Sequence, residues 1–264
     1  MLDTVATGRR PLPPKLLLYG TAGIGKTTIA ADAPNPIFAF TEESQGELDL
    51  PRFEPGGPGQ VLFRRWADLI GAIGELYTDE HDRKFLVIDT IDFAEPLARQ
   101  AVIDEHGEES FGRNAFGSGV NFMVEKFRML LAGLDALNQD KGMGIILLSH
   151  AGIQRFSEPG KDEYDRYFPR MHNKLSALVT EWAQTVLFAT SEVTVSEKKG
   201  DFGKTKTIAT GQGRRILLTE ERPSQVAKNR CRMPYKLRLP VPAEGQAPEG
   251  SWQVIQDALS RPSN

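Results

Sequence analysis

Residues 20–28 read GTAGIGKTT, and Gly20, Gly25, Lys26 and Thr27 satisfy the spacing G-x-x-x-x-G-K-[ST] of a phosphate-binding loop. Each residue type meets a physical need. Glycines let successive N–H groups turn inward and form a nest for an anion. The helix that follows adds a positive end. Lys26 is placed to reach the β- and γ-phosphates of a nucleotide, and the Thr27 hydroxyl to ligate Mg²⁺. Gly20, Thr21, Ala22, Gly23, Ile24, Gly25, Lys26, Thr27 and Thr28 together form the expected nucleotide-binding segment.

Such a loop names a ligand and not a reaction. Asp89 closes the apolar run Phe85-Leu86-Val87-Ile88, and an acid at the end of a buried strand can hold the Mg²⁺ shell. Asp92 follows in the same IDTID stretch; its expected role is a helix N-cap, with a share of the metal shell as the alternative. Hydrolysis needs a group that orients or deprotonates water. Glu42 and Glu43 stand at the end of the apolar run Pro36–Phe40. Ligands collect at the carboxyl ends of strands in open parallel sheets, so either acid can face the γ-phosphate. Ser149 and His150 end another apolar run, where a polar side chain can sense the γ-phosphate and pass its state to the loop beyond. His81, His106 and His172 have no ligand spacing, so no zinc site is expected.

These residues need a frame. Apolar runs at Lys15–Tyr19, Pro36–Phe40, Phe85–Asp89 and Met143–Leu148 read as buried strands. Helical patterns lie between them: Thr28–Ala33, stopped by Pro34; Trp66, Leu69, Ile70, Ile73, Leu76 and Tyr77; residues 93–104; and Phe122 through Leu137. Strands alternating with helices predict an α/β fold, a mainly parallel sheet flanked by helices. The second half changes character. Ala151–Arg170 reads as a polar loop spotted with aromatics, and Leu175–Glu181 as a helix. Val186–Val195 and Thr205–Leu218 read as antiparallel strands added in the C-terminal half. A terminal helix is expected at Trp252, Ile255 and Leu259 with Ser251 as N-cap. The predicted organisation is a flexible arm (1–13), one P-loop domain (14–236), and a linker with a short helix (237–264).

Composition narrows the class. The chain has 264 residues and a net charge of -3, so any nucleic-acid binding must come from a local patch. One cysteine, Cys231, excludes an internal disulfide and a cysteine-rich zinc site, and fits a reducing, cytoplasmic setting. No apolar run approaches membrane-spanning length, so no membrane partner is expected.

Five stretches together, GTAGIGKTT, FAFTEES, FLVIDT, IILLSHAGIQRF and ERPSQVAKNRCRMP, resemble the RecA-like ATP-binding proteins of bacteriophages and prophages in the AAA-type P-loop group. Some members of that group are Sak-type single-strand annealing proteins. The resemblance spans roughly residues 14–236. It implies a RecA-like core, ATP and Mg²⁺ as ligands, and ATP hydrolysis stimulated by DNA. It points to Glu42 as the catalytic acid in FAFTEES. Phe40 stands where the pattern has an acid and Glu43 where it has a glycine, so the choice between Glu42 and Glu43 stays open. Lys228 and Arg230 resemble the K-x-R finger with which RecA-like ATPases reach a neighbouring subunit's γ-phosphate, the alternative being a surface basic pair. A finger of that kind implies self-association into a ring or filament.

Two segments following the third and fourth parallel strands match the positions of the DNA loops in a RecA-like core. One holds Arg113, Asn114 and Phe116; the other holds Arg155, Phe156, Lys161, Arg166 and Arg170. Cations among aromatics suit single-stranded DNA, where charge follows phosphate and rings stack on bases. Glu158, Asp162, Glu163 and Asp165 nearly neutralise the second segment, which weakens a purely electrostatic case. The leading expectation is an ATP-dependent protein acting on single-stranded DNA in phage-type recombination, annealing or replication inside a bacterial host cell, with a single-strand-binding or replication protein as a further partner. The alternative is an ATP-driven switch or loader that acts on a replication protein without touching DNA. A small-molecule kinase or helicase motor fits less well.

Overall fold

In the computed structural model, residues 12–44, 46, 48–112, 116–157, 160, 162–199, 205–241 and 249–260 are described. The strands are β1 (Lys15–Gly20), β2 (Pro36–Phe40), β3 (Phe85–Asp89), β4 (Gly144–Phe156), β5 (Tyr164–Pro169), β6 (Thr185–Lys199), β7 (Thr205–Leu218), β8 (Lys228–Asn229) and β9 (Lys236–Arg238). The helices are α1 (Lys26–Ala31), α2 (Trp66–Thr78), α3 (Ile91–His106), α4 (Ser118–Asp140), α5 (Asn173–Trp182) and α6 (Ser251–Leu259), with a 3-10 turn at Glu108–Phe111.

The sheet runs β2-β3-β4-β1-β6-β7-β9. Its first five strands are parallel, while β7 and β9 are antiparallel to their neighbours. This is the expected α/β fold with antiparallel strands in the C-terminal half. Side chains alternate across each strand. Leu17, Tyr19, Leu86, Ile88 and Leu147 enter one core with Leu69 of α2, Ala94 of α3, Phe127 of α4 and Leu175 of α5. Leu16, Leu18, Phe38, Val87 and Ile146 enter the other with Ile29 of α1 and Ile255 of α6. Both faces being covered explains why the central strands read as unbroken apolar runs.

Three expectations are corrected. Ala151–Arg170 is not a plain loop: β4 continues past the sheet to Phe156 and pairs antiparallel with β5, Arg155 facing Asp165 and Gln154 facing Arg166. The helix expected over 93–104 runs from Ile91 to His106 with Pro96 inside it, and the 3-10 turn follows at Glu108–Phe111. The N-cap of α6 is Gly250, at φ 80, and Ser251 is the first helical residue. The expected C-terminal helix is present and docked: the Trp252 ring meets Phe85 edge-on at 4.7 Å, and the Trp252 backbone N–H donates to Asp32 Oδ2 at 2.8 Å.

Candidate functional site

The loop between β1 and α1 opens at the carboxyl end of the sheet. Gly23 and Gly25 sit at φ 76 and 88, which only glycine adopts without strain, and Gly25 caps α1. Lys26 is buried, and its Nζ donates to the loop carbonyls of Gly20 (3.3 Å) and Thr21 (3.4 Å). Burial lowers its pKa, opposed by Asp89, Asp92 and Glu42. The Thr27 hydroxyl donates to Asp89 Oδ2 at 2.7 Å, joining the loop to the end of β3. Lys26, Thr27, Glu42, Ser44, Asp89 and His150 face a cavity of ≈ 380 Å³ beside this loop.

The fit for Mg²⁺ can be tested on Asp89. The residue is wholly buried, and burial raises its pKa against the hydroxyls of Thr27 and Ser44. Its Oδ1 is buried and makes no close hydrogen bond; the cavity-lining Ser44 hydroxyl, also without a close partner, lies near enough to favour the ionised carboxylate but leaves this oxygen open to a ligand. An orphaned carboxylate oxygen costs free energy unless a ligand satisfies it. The oxygens of Thr27 and Asp89 suit a hard cation that takes its other ligands from phosphate and water. The residues present therefore fit Mg²⁺. Among the described residues, no three His, Cys, Asp or Glu side chains form a metal cluster.

Glu42 reaches the cavity because Thr41 pins the end of β2 to the end of β3. The Thr41 hydroxyl donates to the Thr90 carbonyl (2.6 Å) and accepts from the Thr90 N–H (2.9 Å). Glu42 Oε1 stands 3.6 Å from His150 Nδ1. The same ring nitrogen is 3.0 Å from Asp92 Oδ2, whose other oxygen accepts the His150 N–H at 3.1 Å. Arg170 then donates to Asp92 Oδ2 from Nη2 (3.0 Å) and Nε (3.3 Å). Burial pushes the Asp92 carboxyl up, but the bonds from His150 outweigh it and hold the group below the usual range. Asp92 is thus not the N-cap: Thr90 caps α3, and Asp92, engaged by His150 and Arg170, ties the middle of β4 to the residue after β5.

The structure brings Lys26, Thr27, Asp89, Glu42 and His150 together and separates the other candidates. Glu43 is absent from the cavity lining, which favours Glu42 on position. Ser149 is wholly buried and its hydroxyl donates to the His150 carbonyl at 3.1 Å, so of the two residues only His150 lines the cavity. The Lys228 ammonium donates to the carbonyls of Thr180 (3.0 Å), Glu181 (2.5 Å) and Ala183 (2.7 Å), where it caps the end of α5. Arg230 is exposed. Asn229 pairs with Thr185, four positions before Ala189, the partner of Gly20 on β1. Four positions make about 13 Å, so the basic pair lies toward the amino edge of the sheet, away from its own P-loop.

The DNA candidates divide the same way. Arg113, Asn114 and Lys161 lie outside the described residues, while Phe116 is 94% exposed. Arg155 is exposed and paired with Glu163 at 3.1 Å, and the Phe156 ring lies tilted against Tyr164 at 5.5 Å. Arg166 is buried, bonded to Glu221 (2.5 Å) and to the Gln225 carbonyl (3.3 Å); it braces the hairpin and does not face solvent. Arg170 serves Asp92. Sequence reading missed Thr41, Ser44 and Arg215, whose guanidinium lies against Gly25. The first two lie next to Glu42 in FAFTEES, a proximity the sequence does display; nothing local marks Arg215.

A P-loop closed by a strand-end aspartate, on a mainly parallel sheet covered on both faces, defines a nucleotide-binding α/β domain of the P-loop class. The chain belongs to the AAA domain family (AAA_24), whose model matches residues 12–231. The structure of the RadB recombinase aligns with it at a TM-score of 0.43 and 13% identity, over 87% of this chain and 89% of that one. No curated protein sequence matches. No helix among the described residues is long and apolar enough to cross a membrane.

Proposed function

We propose that this chain is an Mg²⁺-dependent ATPase whose nucleotide state is passed to the β4–β5 hairpin, and that residues 14–236 form its working unit. The observation that supports it most is the continuous path Glu42–His150–Asp92–Arg170, which joins the P-loop cavity to the root of that hairpin. Thr27 and Asp89 would hold Mg²⁺, which neutralises charge on the phosphates. Lys26 binds the β- and γ-phosphates, and Glu42 orients and deprotonates the attacking water. A proton or a γ-phosphate oxygen arriving near Glu42 changes the field at His150, and with it the pull on Asp92 and Arg170.

The hairpin's target in this reading is single-stranded DNA, in phage-type recombination, annealing or replication, with assembly into a ring or filament. It is supported by the motif resemblance and by Phe116 and Phe156 on the two segments concerned. A second reading, a switch or loader acting on a protein partner, is favoured by a specific observation: Arg155, Arg166 and Arg170 are all paired with carboxylates, and Ile153 is 63% exposed on the hairpin. ATP turnover, measured alone and with single-stranded DNA, duplex DNA and RNA at two salt concentrations, separates them. Stimulation by single strands supports the first. Turnover indifferent to every nucleic acid, with no DNA binding, supports the second, and absence of turnover in all conditions removes the ATPase reading.

A further inference from the structure

We propose that Arg215 is a second phosphate-binding cation of the nucleotide site, supplied from β7 of the same chain and directed at the α- and β-phosphates. The proposal rests on reading the P-loop as a nucleotide site, and it adds a residue from an element that no P-loop motif includes.

Strand geometry puts the side chain there. Arg215 pairs with Ser191 on β6, just beyond Ala189, the partner of Gly20. Alternation along β7 sends Ile216 and Leu218 to the core of α2 and α4, and Leu217 to the core that contains Ile24 and Ile29 of the P-loop segment. Arg215 shares the parity of Leu217, so it lies on the α1 face. There it meets the loop: a Cβ added to Gly25 would run into Arg215 Nη1, with Thr28 Oγ1 next nearest at 3.9 Å. Gly25 is held to glycine by its φ, and the Arg215 guanidinium occupies the space beside it.

The group is left short of partners. Arg215 Nη2 is buried and makes no hydrogen bond, and among the described residues no carboxylate pairs with the guanidinium. Burial lowers its pKa from the usual arginine value. A half-buried guanidinium with one buried N–H donor left unpaired costs free energy, and an anion supplied to it removes that cost. The fork of N–H donors matches phosphate oxygens. The P-loop backbone cradles the α- and β-phosphates, whereas the lysine reaches toward the γ-phosphate. A cation against Gly25 therefore serves phosphates that ADP and ATP share. Arg215 retains nucleotide through the cycle, a task separate from the chemistry at Glu42.

The test is titration of methylanthraniloyl-ADP and -ATP into wild type, Arg215→Met, Arg215→Lys and Lys26→Ala. Arg215→Met keeps most of the stem's volume and loses the charge. Its affinity for both nucleotides should fall about 10- to 100-fold, the range for losing hydrogen bonds to a charged group, with Arg215→Lys between. Unchanged affinity in a folded Arg215→Met, beside tight wild-type binding, overturns the assignment and leaves the P-loop reading intact. No binding by wild type overturns both. The wild-type ADP complex, solved by crystallography, decides even where the variant does not fold. A phosphate oxygen within hydrogen-bond distance of Nη1 or Nη2 supports the assignment, and a guanidinium out of reach of the phosphates removes it.

Discussion

Each polar side chain around the cavity has a different balance of burial and partners, and the consequences are separable. Glu42 pairs only weakly with His150 at 3.6 Å, so Glu42→Gln should leave nucleotide affinity near wild type while turnover falls about 10²- to 10⁴-fold, the range for general acid–base groups. Steady-state turnover beside equilibrium binding checks it, and a parallel loss of affinity would assign Glu42 to binding. Lys26→Ala should abolish nucleotide binding in the same assay. Asp92 makes a pH statement. Its folded pKa lies below the ordinary 3.8, so its contribution to stability is present above that value and lost as pH falls through the folded pKa. Denaturant melts of wild type and Asp92→Asn should differ by about 2 kcal/mol at neutral pH. That gap should close below about pH 4. A gap that persists at low pH would mean Asp92 acts through packing alone. The P-loop residues and Asp89 were legible because their spacing is local. Asp92, Thr41 and Arg215 were not, because their roles depend on partners across the sheet: His150, Thr90 and Gly25 respectively.

At the scale of elements, the parallel strands were legible because both faces are covered and the apolar runs are unbroken. The β4–β5 hairpin was hidden because it leaves the core. From His150 the burial of β4 fades, the strand is exposed from Ile153 onward, and YDRYFP mixes charge with aromatics, so no clean alternation remains. β8 and β9, two and three residues long, fall below any periodic signal. Two elements owe their ends to distant groups. Lys228 caps α5 through three carbonyls, and Lys228→Ala should cost about 1–2 kcal/mol of stability. A turnover loss at unchanged stability would instead return Lys228 to the finger. On the other face, Trp252→Ala removes the ring packed on Phe85 and should cost about 3–5 kcal/mol. Thermal melts check both, and a Trp252→Ala cost under 1 kcal/mol would mean α6 is an accessory.

For the whole molecule the decisive distance is between the two ends of the sheet. The P-loop opens at its carboxyl edge, and Arg230 follows β8 toward its amino edge. An Arg230 that completes a site must do so in another copy, and the two surfaces then in contact are different, a heterologous interface. Arg230→Ala should cut turnover, and an equimolar mixture with Lys26→Ala should recover about one quarter of wild-type turnover. One interface in four then joins an intact P-loop to an intact finger. No recovery would remove the finger in trans.

Arg230's place on the sheet also gives any such assembly a direction. An open chain of n copies ends in one P-loop without a donor and one finger without a recipient, so it owns n−1 finished sites, while a closed ring owns n. Turnover per copy in a filament then follows (n−1)/n. It falls on dilution as chains shorten, and it is capped by any fragment that carries a finger but no working P-loop. A ring shows neither behaviour until it opens.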